Sequence, residues 1–349
     1  MARSTIADVA KLAGVSQATV SRALRGADNV TERTRQKVEQ AADQLNFTLS
    51  KNASSLASGK TMRVILLSSG KLNDWFDANV LEGVYEVLDP EGYDVSPAVI
   101  LGKEEADAYF AQLPKNRNAD AIIVSSFQLD GTLQQQLKGI DMPSVGVNIP
   151  SASFCDASVE ADNFGGMEKA VRLLKSLGHR SIAFAVDYIP TNMVYSTSQR
   201  TEAFLEAAEQ NGYDEDHIDI VSAEPHERPL PLSELASQLV AQLLSSQRHP
   251  TAVCAETDAV AIALVKELRR QHLRVPEDVS VIGFDDANIA VDADLTTIHQ
   301  DPVELGRMAA AKVLQLLGKP IPTDVHVGAL HESLEPTIVL RETTGRSDS

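Results

Sequence analysis

The sequence predicts an α/β protein in which two similar lobes of parallel sheet, flanked by helices, follow a small three-helix head and a short connector. Three observations carry the prediction. From Arg63 onward short apolar runs alternate with amphipathic stretches, the βαβ pattern of a parallel sheet, and the pattern recurs in the second half. Residues 1–47 show helical spacing instead. The charge also changes sign: residues 1–60 hold nine Lys/Arg against five Asp/Glu, a net +4, whereas the other 289 hold 22 against 44, a net −22. A length of 349 residues with 43% hydrophobic residues suffices for two to three domains of roughly 150 residues each.

In the head, Thr5 followed by Asp8 has the form of a capping box, and Ile6, Val9, Ala10 and Ala13 recur at helical spacing. Gly14 supplies a turn. Ser16 caps a second helix running to Leu24 with Val20, Ala23 and Leu24 inward, so that Ala13-Gly14-Val15 is the tight link of a helix-turn-helix. Thr31 caps a third, where Glu32 suits the positive end of the dipole and Val38, Ala41, Ala42 and Leu45 share one face. The second helix presents side chains fit for a major groove. Gln17 matches adenine, Arg22 forks onto guanine O6 and N7, and Ala18 leaves room for a thymine methyl. Thr5, Ser16, Thr19 and Ser21 are the candidate phosphate contacts. Helical spacing alone leaves a second reading open, a solvated face on an ordinary three-helix module.

A basic head on an acidic body implies a polyanion partner for the head alone, since the body repels phosphate. Residues 48–60 are small and Ser-rich, the composition of a flexible linker. Two cysteines, Cys155 and Cys254, are too few for a disulfide framework or a multi-cysteine zinc site and are expected as small buried residues. No apolar run is long enough for a membrane span and MARSTIADVA lacks a signal-peptide core, so the expected location is the cytoplasm, with no membrane partner.

In the body, strands are expected at 63–68, 120–125 and 143–148, then at 181–186, 251–255 and 279–284. Helices are expected near 79–88, 164–177, 198–210, 233–245 and 258–271. No G-x-G-x-x-G or Walker A sequence follows a strand, no G-x-S-x-G elbow occurs, and the eight histidines form no H-E-x-x-H pair. The expectation is therefore a binding protein and not an enzyme, without cofactor or metal.

T-I-A-D-V-A-K-L-A-G-V-S-Q-A-T-V-S-R-A-L at 5–24 resembles the DNA-binding signature of the lactose-repressor (LacI/GalR) family, and V-T-E-R-T-R-Q-K-V at 30–38 with A-A-D-Q-L-N-F at 41–47 continues the likeness. The resemblance implies a transcriptional repressor that binds a pseudo-palindromic operator as a homodimer. It also implies that 48–61 is a hinge helix ordered on DNA, with Leu56 as a minor-groove wedge and Ala53 as the small residue beside it. Leu49-Ser50 stands in place of the family's frequent Pro-Asn, and Ser54 in place of its frequent Arg.

The likeness extends over nearly the whole chain: Asp162-Asn163, L-G-H-R at 177–180, Arg200 ahead of T-E-A-F-L-E-A-A, V-I-G-F-D-D at 281–286 and T-T-I-H-Q-D at 296–301 stand in family order. It implies a two-lobed body like the periplasmic sugar-binding proteins, holding a mono- or oligosaccharide effector between the lobes. Arg200 and Asp285 are its main contacts, and a carboxylate at a strand's C-terminal end with an arginine fork suits sugar hydroxyls in the crevice of open α/β sheets. Asn148 stands where relatives often have Asp, and Thr257 replaces an Asn, which implies a different hydroxyl pattern. Gln300 matches a position touching ligand or the lobe junction. Trp75 and Phe76 fall where relatives cover the ligand, although a buried Trp serves equally as core. His226 is a weaker candidate at the cleft mouth, with plain solvation as its alternative. The implied domains are 1–47 for the head, 48–61 for the hinge, 62–160 with 302–329 for the first lobe, and 161–301 with 330–345 for the second. The absence of a C-terminal heptad helix makes a dimer the simplest assembly. Within the family, a nucleobase-responsive repressor or one coregulated by a phosphocarrier protein is the alternative.

Overall fold

The computed structural model describes residues 4–24, 29–47, 60–116, 118–188, 193–225 and 230–347. These fall into two compact units, a head ending near Arg63 and a larger body. In the head, α1 (Ile6–Ala13) begins with a complete capping box: the Asp8 N–H donates to Thr5 Oγ1 at 3.4 Å and the Thr5 N–H donates to Asp8 Oδ2 at 2.9 Å. Gly14 ends the helix at φ +69°, a conformation that costs a residue without a Cβ least. In α2 (Gln17–Leu24) the first turn is capped by Ser16, whose Oγ accepts from the Thr19 N–H at 3.1 Å. Thr31 precedes α3 (Glu32–Gln44) but makes no side-chain cap; its hydroxyl pairs with that of Thr34 at 2.9 Å, which corrects its expected role. Val9, Val20 and Val38 are fully buried at the junction of the three helices, with Ala10, Ala23, Ala41 and Ala42 around them.

The body holds two sheets. The first has the strand order β13-β6-β5-β3-β1-β2, from β1 (Arg63–Ser68), β2 (Asp94–Val99), β3 (Ala121–Ser125), β5 (Ser144–Val147), β6 (Ala157–Ala161) and β13 (His331–Leu334). The second has the order β14-β12-β11-β10-β7-β9, from β7 (Ile182–Val186), β9 (Ile218–Ser222), β10 (Ala252–Ala255), β11 (Ser280–Asp285), β12 (Thr297–His299) and β14 (Thr337–Val339). In the first sheet β13, β6, β5, β3 and β1 pair in parallel, as do β12, β11, β10, β7 and β9 in the second, and β14 runs antiparallel to β12. A short antiparallel pair, β4 (Phe127–Gln128) with β8 (Val194–Tyr195), joins a strand-end segment of one lobe to one of the other.

The helices are α4 (Trp75–Leu88), α5 (Lys103–Asn116), α6 (Gly131–Gly139), α7 (Asn163–Ser176), α8 (Ser198–Gln210), α9 (Leu232–Ser245), α10 (Asp258–Arg270), α11 (Asn288–Asp292) and α12 (Pro302–Leu316). The strands β3, β5 and β10 are buried throughout, which is why they read as continuous apolar runs rather than as alternation. Between β13 and β14 the chain passes from the first sheet to the second. Residues 331–334 thus belong with the first lobe, because His331–Leu334 pairs with Ser158–Ala161; the boundary expected at 330 falls a few residues too early. Lys312 on α12 is buried, donating to the Ala329 carbonyl and to Glu332 Oε1 at 2.5 Å, which ties that helix to β13. Both cysteines are buried.

Candidate ligand cleft and nucleic-acid interface

Polar groups gather at the C-terminal ends of six strands, β3 and β5 in the first lobe and β7, β10, β11 and β12 in the second. On the second lobe, Arg200 lies in the first turn of α8 and is 2% exposed. Its Nε donates to Asn163 Oδ1 at 3.0 Å, and its Nη1 donates to the carbonyl of Glu256 and to Asp285 Oδ1 at 3.3 Å. The guanidinium lies over the Phe284 ring, 3.7 Å from its centroid, so an aromatic face supports the charge from below. Asp285 ends β11 with φ +127° and also accepts from Gln300 Nε2 at 2.7 Å. The structure thereby brings Arg200, Asp285 and Gln300 together. Burial raises the Asp285 carboxyl against the pull of Arg200 and lowers the Arg200 guanidinium.

Thr257 and Asp258 serve the scaffold of this site. The Thr257 hydroxyl accepts from the Val260 N–H at 3.4 Å as the cap of α10. Asp258 is fully buried; it accepts from the Ala287 N–H at 2.8 Å and from Thr297 Oγ1 at 2.5 Å, holding β11, β12 and α10 together. Desolvation pushes its carboxyl up to about 7. As a cap the Thr257 hydroxyl only accepts, so its own proton remains available to a ligand.

On the first lobe, Asn148 follows β5 at φ +48° and is 3% exposed. Its amide is engaged at both ends: Nδ2 donates to Ser196 Oγ and Oδ1 accepts from the Ala161 N–H, each at 3.4 Å. Nearby, Ser125 Oγ donates to Asp77 Oδ1 at 2.8 Å, Ser125 and Ser126 hydroxyls are 3.2 Å apart, and the Ser196 N–H donates to the Ser126 carbonyl at 3.0 Å. A polar path thus runs from Asp77 on the first lobe to Ser196, four residues before Arg200. Burial pushes the Asp77 carboxyl up to about 6. Trp75 and Phe76, both half-buried, open α4 directly ahead of Asp77. His226 lies outside the described residues.

Sequence reasoning missed Asp77, Asp187 and Glu256. Glu256 directly follows β10 and is 5% exposed, and its Oε1 accepts from the Asp187 N–H at 2.7 Å just beyond β7. The signal was present: the rule that singles out Asp285, a carboxylate at the C-terminal end of an apolar strand, applies equally to Asp187 after IAFAV and Glu256 after AVCA.

In the head, Gln17, Ala18 and Arg22 are exposed on α2, with Arg22 Nε donating back to the Ala18 carbonyl at 3.2 Å. Ser16 and Thr19 hydroxyls lie 2.9 Å apart, so one hydroxyl proton of the pair is spent on the other and one is left for a phosphate. Ser21 is half-buried on the same helix. Thr5 donates its hydroxyl to Asp8 at 2.7 Å, and a phosphate contact there would have to exchange that bond beside a carboxylate. Ala53 and Leu56 lie outside the described residues. We expect Arg22→Ala to relax base preference at one operator position by about 1–3 kcal/mol, whereas Lys37→Ala at most weakens all sequences alike. Titrations on cognate and scrambled operators check this, and equal losses on both for Arg22→Ala would remove it from base reading.

A helix-turn-helix head on a body of two parallel-sheet lobes, with polar strand ends facing each other, is the build of a DNA-binding regulator. The chain belongs to the LacI family of bacterial regulatory proteins, whose family model matches residues 5–50, and a periplasmic binding protein-like domain matches residues 171–344. It is 30% identical over 325 residues to the probable HTH-type transcriptional repressor ExuR of Bacillus subtilis, covering 90% of this chain and 92% of that one. It is 29% identical to the HTH-type transcriptional repressor PurR of Vibrio vulnificus, covering 97% and 98%. Among solved structures, the transcriptional regulator CelR in complex with cellobiose matches with a TM-score of 0.66 and 26% identity over 98% of this chain and all of that one. The lac repressor dimer bound to operator and an anti-inducer matches the fold with a TM-score of 0.81 at 24% identity, over 99% and 100%. The protein is accordingly a DNA-binding transcriptional repressor of this family, and its relatives are repressors rather than enzymes. Among the described residues no helix is long and apolar enough to cross a membrane, and no group of three or more His, Cys, Asp or Glu is placed to hold a metal ion.

Proposed function

We propose that the repressor binds a pseudo-palindromic operator as a homodimer and that a small sugar held between the lobes of the body controls it. The observation that carries the effector reading is the Arg200, Asp285 and Gln300 constellation: an arginine on an aromatic face, bonded to a strand-end carboxylate that also receives an amide. Such a set offers planar donors and acceptors to vicinal hydroxyls where open α/β sheets bind ligands. The sugar complex of CelR, a relative in fold and sequence, supports the same class. We assign 1–47 to the head, 48–61 to the connector, 62–161 with 302–334 to the first lobe and 162–301 with 335–345 to the second, the strand pairing of His331–Leu334 with Ser158–Ala161 supporting the two changed boundaries.

Control is then linkage between two sites. An effector that favours a lobe arrangement unsuited to operator binding weakens that binding, and the operator weakens the effector's affinity by the same factor. Trp75, the single tryptophan, reports on the body. Titrating its emission with mono- and disaccharides should give a saturable response to one of them, which also shifts operator affinity at fixed salt. A response confined to nucleobases, or a sugar response with unchanged operator affinity, would overturn the reading.

A further inference from the structure

We infer that the second lobe selects an effector presenting hydroxyl or ammonium donors and rejects anionic sugars such as uronates and sugar phosphates, with Glu256 as the residue that sets this discrimination. The inference rests on the sugar reading and adds a charge class to it.

Three strand ends of the second sheet deliver carboxylates to one place: Asp187 after β7, Glu256 after β10 and Asp285 at the end of β11. Glu256 feels both Asp187 and Asp285, and Asp258 adds a further acid beside Asp285. Against them stands Arg200, whose Nε and Nη1 are already committed to Asn163, Asp285 and the Glu256 carbonyl. A separate observation points to a missing donor. Gln300 is 4% exposed, its Nε2 is bonded to Asp285, and its Oε1 is buried with no hydrogen-bond partner among the described residues. A buried acceptor left open is costly and is satisfied by an O–H or N–H arriving with a ligand. The site therefore shows an excess of acceptors and negative charge. Hydroxyls and ammonium groups answer both; a carboxylate or phosphate answers neither and adds repulsion in a medium of low dielectric. The charge strain is visible in Glu256, whose carboxyl burial and neighbouring acids push up to about 7.

Glu256 is the position to test because Gln keeps an acceptor for the Asp187 N–H while it removes the charge and turns the other oxygen into an N–H donor. The full-length protein and Glu256→Gln are titrated calorimetrically at pH 8 with cellobiose and with matched sets: glucose and galactose, their uronates, their 6-phosphates and their 2-amino forms. In the native protein the neutral or amino member of the set that binds should exceed its anionic counterparts by at least about tenfold, and Glu256→Gln should narrow that ratio about tenfold. A purely structural role for Glu256 would weaken every member alike and leave the ratio unchanged, which would overturn its assignment. An anionic member binding the native protein as tightly as its parent overturns the inference without any variant, even if Glu256→Gln does not fold, and leaves the sugar reading standing. No binding by any member overturns the sugar reading and the inference with it.

Discussion

Arg200→Ala is expected to destabilise the body by about 3–5 kcal/mol and to abolish the effector response. The two losses have one cause. Arg200 is 2% exposed and its removal strands the Asp285 side chain, itself 14% exposed, without its cation, and opens a void over the Phe284 ring. Breaking a buried pair from one side leaves an uncompensated charge, which costs more than the pair contributes. Removing both partners should therefore cost less than the sum of the single losses: Asp285→Ala in the Arg200→Ala background recovers part of the stability, and the cycle gives the coupling directly. Urea unfolding followed by Trp75 emission reads the body, because that tryptophan lies on α4. A loss below about 1 kcal/mol for Arg200→Ala, or simple additivity in the double variant, would show that the two residues do not act as a pair.

That pair was legible in the sequence, and its surroundings were not, for a physical reason. Arg200 and Asp285 stand in motifs whose order is carried by the chain itself, and the fully buried strands announce themselves as apolar runs. Asp94–Val99 does not, because it is an edge strand with Pro97 in it and only partial burial, which gives neither alternation nor an apolar run. β13 and β14 are short segments two residues apart that join different sheets, a division made by tertiary pairing alone. Glu256 and Asp187 look like ordinary solvated acids until β7 and β10 are placed side by side, with Val253 opposite Ala183 and Ala255 opposite Ala185. Only that register makes their strand ends adjacent. Asn148 and Thr257 carry a second occupation that no motif announces: each accepts from a backbone N–H, of Ala161 and of Val260, which fixes the side chain while leaving donors on it.

The contact between α4 and α12 yields the second large effect, and its sign runs against helix propensity. Gly83 and Gly306 are both helical, and neither needs a positive φ, so each is there for space rather than for backbone freedom. A Cβ added to Gly83 would land on the Val303 carbonyl oxygen, and one on Gly306 would land on that of Val80. Both obstacles are backbone of the facing helix, which cannot turn aside as a flexible side chain does. Alanine would ordinarily stabilise a helix by about 0.5–1 kcal/mol over glycine. Here Gly83→Ala and Gly306→Ala are each expected to cost about 2–3 kcal/mol by forcing the helices apart and loosening Val80, Val84 and Leu305 beneath them. Gly139→Ala is the control, since a Cβ at the end of α6 meets nothing within 4 Å and should be neutral or slightly stabilising. Because a single separation of the helices relieves both clashes, the double variant should lose less than the sum of the two singles. Melting curves of the native protein and the four variants decide it: a Gly83→Ala variant as stable as Gly139→Ala would mean that the helices can part at no cost, and that their close approach contributes nothing to the first lobe.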